Sequence, residues 1–239
     1  APDGYTLLLG TTNLTVLPSM TRVAYDPVRD FVPVALIATS ANLLLIHPAV
    51  EAKSLKELLA LARARPGQLN YASGSVASST QLAAELMKSM ARVDITHVPY
   101  KGAGPALVDL LAGQVQIMFS NPVASAAHVR SGKLRALAAT SDKRLPDFPD
   151  LPTMAEAGLP GYEASTWWGI LAPRGTAASV VTQLNEAISN AILAGDVRGR
   201  IAALGALPAG GPPEQLAALI RGEIPKWSRV IKEAGIRLD

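Results

Sequence analysis

Cysteine is absent from the 239 residues, which excludes thiol nucleophiles, structural disulfides and cysteine-based zinc ribbons. That absence is compatible with an oxidising compartment, where a stray thiol is a hazard. Histidine occurs three times, at His47, His97 and His128. No two of them stand at ligand spacing and no carboxylate cluster accompanies them, so no metal is expected. Aromatic residues make up 5% of the chain, and its 22 Lys and Arg residues never form a run of five. Nucleic-acid binders concentrate basic residues among aromatics, so the net charge of +3 does not point to a nucleic-acid partner. No apolar run approaches the roughly 18 residues needed to cross a bilayer, and direct membrane insertion is not expected. A charged-then-apolar secretory leader is missing as well.

Catalytic signatures are equally scarce. Gly74-Ser75-Val76-Ala77-Ser78 does not supply the strained G-x-S-x-G elbow, and each histidine reads as structural rather than as a base for a serine. There is no Walker loop, and Gly102-Ala103-Gly104 lacks the third glycine of a dinucleotide fingerprint. Neither an enzyme nor a cofactor is expected.

What is present is core material: 49% of residues are apolar and 17% charged, which argues for a folded chain. Short apolar runs bounded by glycine or proline predict strands at 5–9 (buried), 31–37, 43–46, 94–100, 114–119, 134–140 and 163–171. Helical spacing predicts a helix from Ser54, which opens a capping box with Glu57 and stops at Pro66-Gly67. Further helices are predicted at 81–87, 106–111, 124–129, 153–157, 177–193 with Thr176 as cap, and 196–204. A last helix from 214 towards 234 contains Pro225, which predicts a kink or break. The recurring order of strand, polar loop and helix predicts parallel α/β architecture.

The stretch 71–82, YASGSVASSTQL, stands out within that order. It places five hydroxyls, at Ser73, Ser75, Ser78, Ser79 and Thr80, with Gly74 between a strand-like entry and a helix. Backbone N–H and O–H donors at the positive end of a helix dipole suit an anion. Ser and Thr are also ordinary N-caps and turn residues, so a plain solvated loop fits the same letters. Other loop-end candidates are Thr12 and Asn13, Asn42 after a small-residue loop, and Ser120-Asn121 at a strand exit. In the tandem Trp167-Trp168, strand alternation buries one indole and leaves the other able to line a cleft.

The segments APDGYTLLLG (1–10), YDPVRDFVPVALI (25–37), PGQLNYASG (66–74), HVPYKGAGPALVDLLAGQVQIMF (97–119), GKLRALAATS (132–141), LPTMAEAGLPGYEASTWWGILAP (151–173) and KWSRVIKEAGI (226–236) together resemble the Bug family. These are extracytoplasmic solute-binding proteins of tripartite tricarboxylate transporters. The resemblance implies an α/β fold of the type II periplasmic binding protein class, two α/β lobes with a ligand cleft between them. Residues 1–43 with 167–239 would form lobe one, and 44–166 lobe two. It implies a periplasmic, monomeric receptor that captures a small carboxylate and passes it to membrane permease subunits, or, as the alternative, a module that signals to a membrane sensor. The ligand contacts it implies, taken with the loop reading, are Ser73, Gly74, Ser78, Ser79, Thr80, Gln81, Thr12, Asn42, Ser120, Asn121 and Trp167. Uncharged donors avoid burying an unpaired cation in an empty site. Three departures stand out. No PFPAGG-like loop precedes the first strand, which implies either about 55 to 60 further residues upstream, by typical domain size, or a receptor that lacks half its site. Gln81 stands where His is frequent, and Ser120 where Asp is common.

Overall fold

The computed structural model describes residues 1–238. In chain order the elements are β1 (Leu8–Thr11), α1 (Asn13–Val16), β2 (Phe31–Ser40), β3 (Leu43–Ile46), α2 (Leu55–Ala64), β4 (Asn70–Ser73), α3 (Ser79–Ala91), β5 (Thr96–Pro99) and α4 (Ala103–Leu111). They continue with β6 (Ile117–Ser120), α5 (Pro122–Arg130), β7 (Arg135–Ala139), β8 (Thr166–Pro173), α6 (Ala178–Leu193), α7 (Gly195–Ala203), β9 (Leu207–Pro208) and α8 (Pro213–Ala234). Two compact units result, Ala41–Ser165 and a discontinuous one made of Ala1–Ser40 with the chain from Thr166 onward. The divisions fall three residues and one residue before those drawn from the sequence, at 43/44 and 166/167.

The continuous unit holds a five-stranded sheet in the order β5-β4-β6-β3-β7. Strand β3 is an unbroken apolar run because it has a strand on each side; all four of its residues are 0% exposed. Strand β4 runs parallel to β5 and β6, while β3 runs antiparallel to β6 and β7. The C-terminal ends of β4, β5, β6 and β7 therefore share one sheet edge with the start of β3. Helices α3, α4 and α5 begin there. Helix α2 starts on the expected capping box, shifted by one residue on its return arm. Ser54 Oγ accepts from Glu57 N at 3.2 Å, and the Glu57 carboxylate accepts from Lys53 N at 2.7 Å. The helix predicted over 153–157 is a single turn instead. Thr153 and Glu156 bond each other reciprocally, and Gly158 at φ 124 ends the turn before a second can form.

The discontinuous unit is built differently. Its sheet, β1-β8-β2-β9, is antiparallel at every pairing, so the parallel order predicted for the whole chain is confined to β4, β5 and β6. Trp167, Leu171, Leu14, Leu36, Leu216 and Ile220 form its core on one face, with α8 packed there. Val34, Ala35, Ala172 and Val181 cluster with α6 residues separately. The first strand corrects the expectation of burial over 5–9. Tyr5 lies outside it, and Leu8 and Leu9 are 39% and 57% exposed, because among the described residues β1 is an edge strand paired only with β8. Thr176 does not cap α6; its hydroxyl bonds Pro173 O, and Ala177 takes the cap position. Helix α8 is not interrupted at Pro225. That proline is exposed, as is Arg221, whose carbonyl has no N–H at position 225 to accept from.

Candidate ligand-binding site

The shared sheet edge of the continuous unit gathers most of the polar, uncharged residues singled out from the sequence. The loop after β4 lies against the loop after β5. Tyr100 N donates to Ser73 O at 2.9 Å and Gly102 N to Gly74 O at 2.7 Å. Gly74 suits this approach, since a Cβ there would stand 3.1 Å from Ala103 N, closer than ordinary van der Waals contact. Asn42 and Thr140 are tied across the same edge, with Asn42 N donating to Thr140 Oγ1 at 2.8 Å and Thr140 N to Asn42 O at 2.9 Å. Ser120 and Asn121 complete the row. Asn121 caps α5 by accepting from Val123 N at 2.8 Å, and Ser120 Oγ reaches Asn121 O at 3.4 Å.

Inside the loop at 73–81 the hydroxyls mostly serve the loop. Ser73 is fully buried, donates to Ser75 O at 3.0 Å and lies 2.7 Å from His97 Nε2. Ser78 Oγ caps α3 by accepting from Gln81 N, and it donates to Ser75 O at 2.7 Å. With that proton committed, the 3.0 Å contact between Ser78 and Thr80 has Thr80 as donor, and Thr80 Oγ1 accepts from Gly74 N at 3.4 Å. Gln81 is 5% exposed; its Oε1 accepts from Ala77 N at 2.7 Å and its Nε2 lies 3.3 Å from His97 Nδ1. Ala77 is held at φ 62, a left-handed conformation that costs an L-residue roughly 1–2 kcal/mol. What the loop presents outward is Ser75, Ser79 and the first N–H groups of α3, those of Ser79 and Thr80, which have no carbonyl partner in the helix.

Behind the loop stands a charged column. The Tyr71 hydroxyl bonds the Glu85 carboxylate, which pairs with Lys88 at 2.9 Å. Burial first, and then the Glu85 charge, push the Tyr71 phenol far above its ordinary range. The ring of Tyr71 stacks on His97 at 4.8 Å, and burial holds the His97 imidazole below its ordinary value, Glu85 opposing and Lys88 assisting.

The discontinuous unit carries the candidates Thr12, Asn13 and Trp167, of which Asn13 is exposed at the start of α1 with its N–H donating to Thr11 Oγ1 at 3.3 Å. Thr12 is 7% exposed, and its hydroxyl accepts from Trp167 N at 3.1 Å, tying β8 to α1. Trp167, expected among the ligand contacts, is 1% exposed and lies in the core, where its indole N–H donates to Glu223. Its neighbour Trp168 faces the other side of β8 and is half-buried.

Sequence reasoning did not single out His97 behind the loop or Ser141, and it named Ser75 among the loop hydroxyls without placing it among the ligand contacts. Ser141 sits one residue beyond Thr140, is 5% exposed, and its Oγ has no hydrogen-bond partner. A Thr-Ser pair at a strand exit was the available signal. Among the described residues no cluster of histidines and carboxylates could hold a metal ion, and no helix is long and apolar enough to cross a membrane.

A family model described as "Tripartite tricarboxylate transporter family receptor" matches residues 1–236. The protein BugT of Bordetella pertussis is 39% identical over 241 aligned positions, covering 100% of this chain and 74% of BugT. Among solved structures, Rpa4515 of R. palustris, described with adipate, is 38% identical with a TM-score of 0.75, over 99% of this chain and 80% of that one. MatC (Rpa3494) from Rhodopseudomonas palustris, described with bound malate, is 37% identical with a TM-score of 0.73, over 97% and 80%.

Proposed function

We propose, from the premise that this chain belongs to the tripartite tricarboxylate transporter receptor family, that it is an extracytoplasmic receptor which captures a small carboxylate and delivers it to membrane permease subunits. The observation that carries this reading is the outward face of the loop at 73–81. Its side-chain hydroxyls at Ser73, Ser78 and Thr80 are committed within the loop, which leaves the exposed hydroxyls of Ser75 and Ser79 and the first backbone N–H groups of the 13-residue helix α3 as the donors. Such donors favour a carboxylate and disfavour an amine, since both the N–H groups and the helix dipole present positive charge. Uncharged donors also release a carboxylate more readily than a buried cation would, which suits a protein that must hand its ligand on.

The ligands named for the two R. palustris proteins, adipate and malate, are the natural first probes. Calorimetry on the purified chain is expected to show saturable binding of at least one such acid and none of the matching diamide or diamine. A folded protein that binds neither acid, and from which mass spectrometry releases no carboxylate after native purification, overturns the reading. Delivery is tested separately, by loss of uptake of that acid on deletion of the gene.

A further inference from the structure

His97 stands directly behind the loop, and its hydrogen bonds fix which nitrogen carries the proton. Ala77 N–H can only donate, so the atom of Gln81 that it meets at 2.7 Å is the oxygen. The Gln81 amide nitrogen is therefore the atom 3.3 Å from His97 Nδ1, and it too can only donate. Nδ1 consequently bears a lone pair and the ring proton sits on Nε2, which donates to Ser73 Oγ at 2.7 Å. The Ser73 hydroxyl passes its own proton to Ser75 O at 3.0 Å. Every donor in this run has one acceptor, and only the neutral Nε2–H form of His97 allows it.

We propose that neutral His97 is the positioning residue of the loop at 73–81, and that a proton taken up at Nδ1 unseats Gln81 and the loop with it, weakening carboxylate binding. The last clause rests on the carboxylate reading; the first two do not. A protonated Nδ1 would point its hydrogen at the Gln81 NH2. Turning the amide to offer oxygen would bring that NH2 against Ala77 N–H. Either way two donors face each other, and Ala77, held left-handed at φ 62, loses the bond that keeps it there. The groups around the ring are Tyr71, stacked on it from β4, and Glu85 and Lys88 from α3, whose charges act on it in opposite directions. Burial outweighs them and holds the ring neutral past its ordinary value of 6.5. The sign follows. At pH above 6.5 the ring is neutral whether the loop is formed or open, and the formed loop has its full stability. As pH falls below that value, the open loop with its solvated ring takes the proton first, and the formed state loses ground.

The test is 15N–1H NMR of the full ligand-free chain between pH 8 and pH 5, with the variant Gln81→Glu beside it. In the wild type the His97 nitrogens are expected to report the Nε2–H tautomer, and the Ala77 amide to shift with the same midpoint as the ring. In Gln81→Glu one carboxylate oxygen keeps Ala77 N–H and the other accepts from protonated Nδ1. Its ring midpoint is expected to rise by about one pH unit or more, with the Ala77 amide still through the transition. Adipate affinity is expected to fall about tenfold more between pH 7.5 and 5.5 in the wild type than in Gln81→Glu, a comparison that cancels titration of adipate itself. An Nδ1–H tautomer, or an Ala77 amide indifferent to the ring's titration, overturns the proposal. Failure of adipate to bind the wild type at pH 7.5 counts against the carboxylate reading alone, and the NMR arm still decides this one.

Discussion

The indole N–H of Trp167 donates to the carboxylate of Glu223 at 2.6 Å, with both side chains buried in the core of the discontinuous unit. The same carboxylate accepts from Trp227 Nε1 at 3.0 Å and Thr15 Oγ1 at 3.0 Å, and lies 3.5 Å from Lys226 Nζ. One side chain of α8 thereby ties together β8, α1 and its own helix. Glu223→Ala strands two indole donors, each costing about 1–3 kcal/mol when left unpaired in a core, while the Thr15 hydroxyl keeps Thr12 O as its acceptor at 2.8 Å. Urea unfolding followed by tryptophan fluorescence should show a loss of roughly 4 kcal/mol for Glu223→Ala and about half that for Glu223→Gln, which keeps one oxygen. A Glu223→Ala protein within about 1 kcal/mol of wild type would show that the carboxylate is not the tie described.

Replacing Ser78 and Thr80 together by Ala removes the N-cap acceptor of α3 and the bond that holds Gly74 N. On the carboxylate reading both groups would act on ligand through the loop they brace. Carboxylate binding should weaken at least tenfold, or about 1.4 kcal/mol, by calorimetry with adipate. Unchanged affinity in the folded double variant would sink the assignment of this loop.

Two glycines near the same edge separate a close approach from an open one. Gly74→Ala forces a methyl to 3.1 Å from Ala103 N, whereas a Cβ on Gly104 meets nothing within 4 Å. The first should cost about 1–3 kcal/mol of stability and lower adipate affinity; the second should be near neutral in both. Equal behaviour of the pair in thermal unfolding would contradict the packing of the two loops.

Tyr71 and Tyr162 are both pushed above the ordinary phenol range, chiefly by burial. Their raised values mean that the stability tied to the neutral phenols is complete below pH 10 and drains away as pH rises past it, because the unfolded chain ionises first. Spectrophotometric titration should find these two phenols silent until the protein unfolds in alkali. Reversible ionisation of all five tyrosines in a folded chain would refute the burial described for them.

Local chemistry was readable wherever it depended on neighbours in the chain. The capping box at Ser54 and Glu57 is an interaction across four residues or fewer, and the apolar run at 43–46 is contiguous, so cap residues and local pattern suffice to find them. Helix α3, by contrast, begins at Ser79, two residues before the helix predicted from 81. Strand direction was not readable in the same way. An apolar run specifies burial but not orientation, and the antiparallel sheet of β1, β8, β2 and β9 draws on residues as far apart as Leu8 and Leu171. Of the kink or break expected at Pro225 the helix shows no break, since the penalty of the missing N–H depends on whether the freed carbonyl can reach water.

The loop at 71–82 shows the division most clearly. Composition and order alone determined that an uncharged, donor-rich junction precedes a helix, and the resemblance of the quoted segments determined the family. Which donors face outward was decided only in three dimensions. Alternation along β8 made Trp167 and Trp168 equivalent candidates until α8 packed Glu223 against one of them. Likewise, nothing in the chain order of Ser73, Gln81 and His97 announces that the imidazole braces the other two. Strand β5 had to dock parallel to β4, with Tyr71 opposite His97, before those three side chains could share their protons. Hydrogen bonds of that kind depend on distances of a few ångströms between residues up to 24 positions apart, and only the folded backbone fixes such distances.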